Sequence, residues 1–194
     1  MRIFPRDSRP SILLLLAFAA VGSTQAQGMG QAPDPALRQA LTQAVQDNFQ
    51  NRFEAEVWLL DMSGRLSRFM PEVNQRLDFL RAVHREARRV NLSPELVLAV
   101  IEVESRFDRF AISRSGAQGY MQVMKFWVDE IGRPNDNLLQ RDVNLRYGCT
   151  ILRHYLDVER GNVINALARY NGSLGRYDYP SLVLKALNQR WNRG

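Results

Sequence analysis

The sequence predicts an all-α fold, and three observations lead there. From Pro35 onward, apolar residues recur at spacings of three and four, the period of a helix that buries one face. Sustained alternation of apolar and polar residues, the mark of a half-buried strand, is hard to find. Helix punctuation agrees with the periodicity. Ser93 before Pro94 reads as an N-cap followed by proline at the first helical position, and Asn162 and Gly172 bracket a later helix as cap and stop.

The chain opens on Arg2, Arg6 and Arg9, then an unbroken apolar run from Ile12 to Val21, then Gly22, Ser23, Thr24, Gln25 and Ala26. A membrane-spanning helix needs roughly 20 apolar residues, and this run is about half that length. Small residues at Thr24 and Ala26 suit a signal peptidase, so residues 1–26 read as a signal peptide, with an uncleaved anchor as the alternative. Export across the inner membrane to the periplasm follows, with the mature chain starting near Gln27. Removing three Arg and Asp7 lowers the formal charge from +6 to +4, so the exported chain stays basic. A basic secreted protein is suited to acidic cell-wall polymers or anionic lipid. Nucleic acid is disfavoured, because the basic residues are spread along the chain instead of clustering.

Gln27 to Pro33 reads as a short lead. Helical spacing then predicts helices over Pro35 to Phe49, Arg52 to Phe69, Glu72 to Val90, Pro94 to Ser105, Met121 to Ile131, Val143 to Glu159, Val163 to Tyr170 and Ser181 to Trp191. Cys149 is the one cysteine, so no intramolecular disulfide can form. It shares a helical stripe with Leu145, Leu152 and Leu156 and reads as a buried small hydrophobe. About 168 mature residues suffice for one domain that buries roughly 70% of its unfolded surface, with no staple required.

The helix after Ser93 runs Leu96, Val97, Leu98, Ala99, Val100, Ile101, Glu102, Val103, Glu104 and is apolar nearly all round, as buried helices are. At 100° per residue its two carboxylates point about 200° apart, so they cannot form a catalytic pair with each other. One is free to meet an ion partner while the other enters the packed side or a cleft. A glutamate held against apolar walls has its ionised form disfavoured and becomes a proton donor near neutral pH. Spacing alone suits equally an ordinary helix-end carboxylate paired with Arg106, Arg109 or Arg114.

Several separated blocks bear on that choice. Glu104-Ser105, Ser113, Gly116-Ala117-Gln118-Gly119-Tyr120-Met121-Gln122, Asp142-Val143-Asn144-Leu145-Arg146-Tyr147-Gly148 and Ala168-Arg169-Tyr170-Asn171 together resemble the lytic transglycosylase family of the soluble, goose-lysozyme-like type. The resemblance spans about Asn91 to Leu187, and residues before about Pro71 fall outside it. It implies a lysozyme-like helical catalytic domain over 91–194, preceded by an N-terminal helical extension over 27–90. It implies Glu104 as the single general acid and base, with Ser113, Gln122, Met124 and Tyr170 binding substrate. In that reading Ser113 hydrogen-bonds near substrate or Glu104, Gln122 and Met124 line a glycan groove, and Tyr170 orients Glu104. Asn171, before Gly172, serves equally as a helix-end cap.

The implied partners are peptidoglycan strands. The implied reaction is cleavage of the β-1,4 bond between N-acetylmuramic acid and N-acetylglucosamine with closure of a 1,6-anhydro ring, one of the substrate-assisted exceptions to two-carboxylate chemistry. A lysozyme-type hydrolase and a non-catalytic peptidoglycan-binding protein are the alternatives. Growth, turnover and secretion-system assembly all remain compatible roles. The chain departs from the pattern at Tyr120, where the family usually has Leu, and at Lys125, where it usually has Pro; both put subsite preference in question.

Other chemistries lack their residues. Gly116 to Gly119 has neither the preceding strand nor the spacing of a phosphate-binding loop and reads as a tight turn. His84 and His154 have no acidic or Cys neighbours at metal spacing, so neither metal nor other cofactor is expected. A Gly-x-Ser-x-Gly elbow does not occur. Tyr120, Tyr147, Tyr170 and Tyr177 are candidate sugar-stacking rings, with core packing the alternative for Tyr147 in particular.

Overall fold

The computed structural model describes residues 52–192, so the expected signal peptide and the expected helix from Pro35 to Phe49 lie outside the described residues. Within them the fold is all-α, as the periodicity predicts. In chain order the helices are α1 (Arg52–Leu66), α2 (Val73–Arg89), α3 (Pro94–Ser105), α4 (Phe126–Ile131), α5 (Arg141–Val158), α6 (Val163–Tyr170) and α7 (Asp178–Ala186), ending in a π-helical turn, Leu187–Trp191.

The first turn of α1 gives way to a buried stripe of Trp58, Leu59, Met62 and Leu66. The helix ends three residues before the expected Phe69. Arg76, itself buried, reaches back from α2 and donates to the carbonyls of Met70 and Pro71 and to the Ser63 hydroxyl, satisfying the turn between the helices. In α2, Leu77, Phe79, Leu80, Val83 and Ala87 carry the apolar face. Helix α3 has the expected bounds: Ser93 Oγ accepts from the Leu96 amide, and Leu96 to Ile101 are all buried. Arg106 ends it in the left-handed region, at φ 52°. Helix α6 likewise has its expected bounds, capped by Asn162 Oδ1 on the Asn165 amide.

Two expected helices are corrected. The one predicted from Met121 begins only at Phe126, because the backbone groups it would need are bound elsewhere. The Met121 amide donates to Asn144 Oδ1, Gln118 and Val123 pair as an isolated antiparallel bridge, and Gln122 sits at φ 48°. The last helix begins at Asp178 instead of Ser181 and becomes π-helical after Ala186. An early start puts Pro180 in the first turn, where its missing amide costs nothing, and aligns Tyr179, Val183 and Ala186 on one buried stripe.

One continuous apolar core joins all these helices. Helix α3 is its axis, packed against α2, α7 and the π-helical turn, while α5 packs on α2 and α6. Cys149 is fully buried, and burial pushes its thiol far above the ordinary range, as a structural cysteine requires. Gly148 on α5 admits Met121 so closely that a Cβ would stand 2.3 Å from its sulfur and 2.7 Å from its Cβ.

Gly148→Ala sets two effects against each other. Alanine is favoured over glycine in a helix by about 1 kcal/mol, whereas overpacking a fixed core contact costs about 1–3 kcal/mol. The second term wins because the Met121 backbone is itself held, so a lowered urea midpoint is expected. An unchanged or raised midpoint would show that the Met121 segment yields.

Candidate active site

Glu104 stands in the last turn of α3, partly buried, and its Oε1 accepts a 2.6 Å hydrogen bond from the Tyr179 hydroxyl of α7. Burial pushes its pKa from 4.5 up to about 7, against the smaller opposing effect of the Tyr179 hydrogen bond. Its place at the carbonyl end of α3 works in the same direction, because the negative end of a helix disfavours a carboxylate. Burial also holds the phenols of Tyr179 and Tyr170 well above their ordinary range, with the charge of Glu104 adding to it, so both rings are neutral donors close to this carboxyl. None of Arg106, Arg109 and Arg114 forms an ion pair with Glu104 among the described residues.

Glu102, two residues earlier, has the opposite surroundings. It accepts from Arg190 Nε at 2.7 Å and Trp191 Nε1 at 2.8 Å, with Arg68 3.7 Å away. Glu102 therefore anchors the π-helical turn to α3, while Glu104 faces phenols. Two carboxylates on one helix thus have opposite surroundings, Glu102 held by a guanidinium and an indole and Glu104 by a phenol.

Beside Glu104 lies the loop from Phe107 to Lys125, and its Tyr120–Met121 segment is held by three helices. Ser105 Oγ donates to the Tyr120 carbonyl at 2.8 Å, Asn144 Oδ1 accepts from the Met121 amide at 2.8 Å, and the Tyr170 hydroxyl donates to the Met121 carbonyl at 2.8 Å. Asn144, almost wholly buried, also donates to the carbonyls of Gln118 and Leu138. Gly119, at φ 73°, is required there, since a Cβ would come within 2.5 Å of Asn144 Nδ2 and 2.7 Å of the Leu138 carbonyl.

The expected site residues fall into two groups. Glu104 and Tyr170 come together, but the hydrogen bond expected from Tyr170 to Glu104 is made by Tyr179 instead. Tyr170 gives its one hydroxyl proton to the Met121 carbonyl and so does not donate to Glu104. Ser113 turns inward on its own loop: its hydroxyl accepts from the Ala117 amide and pairs with Ser115. Gln122 Nε2 donates to the Ala111 and Gly119 carbonyls, bracing the same loop. Met124 is partly exposed just before α4.

Of the remaining candidate rings, Tyr147 is core, its hydroxyl donating to Asp136 at 2.7 Å, whereas Tyr177 is two-thirds exposed. Asn171 is an exposed C-cap of α6. Tyr179 was missed by sequence reasoning: its register with Val183 and Ala186 signals a buried ring but not the acid that ring meets.

The electrostatics predict a measurable cost. Because Glu104 titrates near 7 in the folded chain and near 4.5 unfolded, the folded state holds the extra proton between those values. Stability is therefore full below about pH 4.5 and is lost as pH rises through 7. Glu104→Gln keeps the shape and removes the ionisation. At pH 8 the variant is expected to be more stable than the native chain by on the order of 1–3 kcal/mol, discounted for partial exposure. Denaturant midpoints at pH 8 and pH 4.5 check this: a difference that fails to shrink at the lower pH would contradict it.

A family model described as the transglycosylase SLT domain matches residues 81–180, about half of the chain. The membrane-bound lytic murein transglycosylase C of Yersinia pestis (strain Pestoides F) is 29% identical over 113 residues, covering 50% of this chain and 32% of that protein. The protein of the same name from Yersinia pseudotuberculosis (serotype O:1b, strain IP 31758) matches to the same extent. The chain thus spans about a third of the length of these curated relatives. Among solved structures, an inactive mutant of lytic transglycosylase Slt from Pseudomonas aeruginosa aligns at TM-score 0.46 and 20% identity, covering 77% of this chain and 33% of that one. The 70 kDa soluble lytic transglycosylase of Escherichia coli aligns at TM-score 0.39 and 17% identity, covering 78% of this chain and 36% of that one. With the family model covering α3, the loop beside Glu104, α5, α6 and the start of α7, the chain belongs to the transglycosylase SLT domain family.

Proposed function

We propose that this protein is a peptidoglycan lytic transglycosylase that cleaves the β-1,4 bond between N-acetylmuramic acid and N-acetylglucosamine, with Glu104 as its acid and base. The observation that carries the reading is the part-buried Glu104, raised to about 7 and oriented by a neutral phenol. A group half protonated at neutral pH both gives and takes a proton efficiently. Family membership and the name of the Yersinia relatives, lytic murein transglycosylase, point to the same chemistry.

In this mechanism Glu104 gives its proton to the glycosidic oxygen as the bond to the muramic acid C1 breaks. The substrate's N-acetyl oxygen stabilises the cation developing at C1. The muramic acid 6-hydroxyl then bonds to C1, and the Glu104 carboxylate takes its proton, closing the 1,6-anhydro ring and restoring the enzyme. The Tyr179 bond to Oε1 leaves Oε2 free for the transfer among the described residues. Ser113, Gln122, Met124 and Tyr170 shape the glycan groove, the first two by bracing its loop and Tyr170 by holding the Met121 carbonyl.

A hydrolase would need a second carboxylate about 5 Å away, or about 6.5–9.5 Å away with a water between. The raised pKa of Glu104 owes nothing to a neighbouring carboxylate among the described residues. Asp142 is paired with Arg141, Asp178 with Arg176, and Asp108 accepts from the Phe110 amide. The 6-hydroxyl is then the nucleophile that requires least from the protein. Residues 1–26 are the export signal in this reading, which places the enzyme in the periplasm with an extension over 27–90 ahead of the catalytic domain. Among the described residues no helix is long and apolar enough to cross a membrane.

Digestion of purified sacculi tests the proposal. The released muropeptides are expected to carry anhydro ends that borohydride cannot reduce, one water lighter than hydrolysis products. Glu104→Gln is expected to lower release by about 100- to 10,000-fold. Reducible, hydrated ends would overturn the transglycosylase reading, and undiminished release by the variant would overturn the role of Glu104.

A further inference from the structure

A cavity of about 480 Å³ opens where α2 meets the start of α5, and of its lining only the Tyr120 backbone, held by Ser105, belongs to the site described above. Its floor is the Phe79 and Tyr120 rings, packed at a tilt of 55° with centroids 4.7 Å apart. Both are buried, Tyr120 being only 4% exposed. The Tyr120 hydroxyl makes no hydrogen bond to any described residue and is not among the buried polar atoms, so it is open to the cavity. It is also a hydroxyl that the resemblance did not lead one to expect, since the family usually has Leu there.

Two guanidiniums share the cavity with it, each hydrogen-bonded through Nε, with Arg109 also lying over the Phe110 ring at 5.2 Å. Arg109 Nε donates to the Leu139 carbonyl at 2.9 Å, and Arg141 Nε donates to Asp142 Oδ1 at 2.7 Å. Their terminal nitrogens form no hydrogen bond among the described residues. An arginine fixed through Nε presents the rest of its planar fork in a set direction, the geometry that matches a carboxylate. Both arginines act electrostatically on the Tyr120 phenol, so the three groups converge. Asp142 in the lining is itself paired by Arg85 at 3.6 Å as well as by Arg141, and Asp108 also acts on the phenol, so the cavity carries a modest net positive charge suited to a carboxylate.

We propose that this cavity is a carboxylate-binding site in which Arg109 and Arg141 take the charge, the Tyr120 hydroxyl donates to the same group, and the Phe79–Tyr120 floor accepts an apolar part of the ligand. Its size fits several linked residues instead of an ion alone. Gln75 and Phe79 come from α2 ahead of Arg81, where the family match begins, so the site is composed jointly by the extension and the family domain. The carboxylate comes either from the peptide stem of a peptidoglycan strand or from a free acidic peptide. The first source rests on the function proposed above. Binding is read without turnover, so the failure of either idea leaves the other standing.

Isothermal titration of the full chain with N-acetyl-L-alanyl-D-isoglutamine, which carries one free carboxyl, and with the corresponding diamide tests the site. The acid is expected to bind at least about tenfold more tightly than the diamide, since a bond to a charged group carries most of the difference. Tyr120→Phe, which keeps the ring, is expected to weaken acid binding several-fold with its melting temperature unchanged. Arg109→Gln and Arg141→Gln should each weaken it about tenfold. Equal affinity for acid and diamide, or acid binding indifferent to all three variants, would overturn the proposal. Linking the same peptide to N-acetylmuramic acid separates the sources. Tighter binding when linked assigns the carboxylate to the strand, equal binding assigns it to free peptide, and both keep the carboxylate site.

Discussion

The Tyr120–Met121 segment is the constraint on which the rest of the site depends. Three side chains from three helices hold it: Ser105 takes its first carbonyl, Asn144 its amide and Tyr170 its second carbonyl. Each bond contributes on the order of 1 kcal/mol, but leaving one of those groups buried and unpaired would cost up to about three times that. The loop has little freedom to form otherwise. In consequence the ends of α3, α5 and α6 meet beside Glu104, and Met121 fills the space that Gly148 leaves open. The loop reaches its place without helix or sheet of its own, by lending its backbone groups to neighbouring side chains.

Glu104 then acquires its character from position. Its helix is apolar on almost every side, its turn lies at the negative end of the helix, and its nearest polar neighbours are phenols that burial keeps neutral. Glu102, two residues away, meets Arg190 and Trp191 and fastens the π-helical turn. The stability given up at Glu104 is therefore offset elsewhere, in a core that extends without interruption from α1 to Trp191. A part-buried acid tolerated at a cost, flanked by a well-paired one, is the arrangement expected when a fold holds a proton donor ready at neutral pH.

Much of this was legible in the sequence wherever local chemistry decides. Helices α3 and α6 keep their expected bounds because Ser93, Pro94 and Asn162 act within one turn. The 200° separation of Glu102 and Glu104 foretold their different partners. The separated motif blocks also proved to converge, since Ser105, Asn144 and Tyr170 all belong to them. What escaped was non-local. Periodicity extended a helix back to Met121 because it cannot see Asn144, whose side chain takes the Met121 amide from 23 residues along the chain. The phenol that holds Glu104 comes from 75 residues away, and spacing alone gave no reason to prefer Tyr179 over Tyr170. Local patterns specify elements; the partner of a buried acid is specified by packing.

The central claim is that this fold keeps Glu104 as a proton donor near neutral pH. The most direct measurement is the pH titration of its side-chain carboxyl carbon by NMR in the folded native chain, with the signal assigned through its absence in Glu104→Gln. A midpoint near 7 is predicted, with a single transition undisturbed by a second carboxylate. A midpoint near the ordinary 4.5 would contradict the account, because Glu104 would then be ionised at neutral pH and have no proton to give.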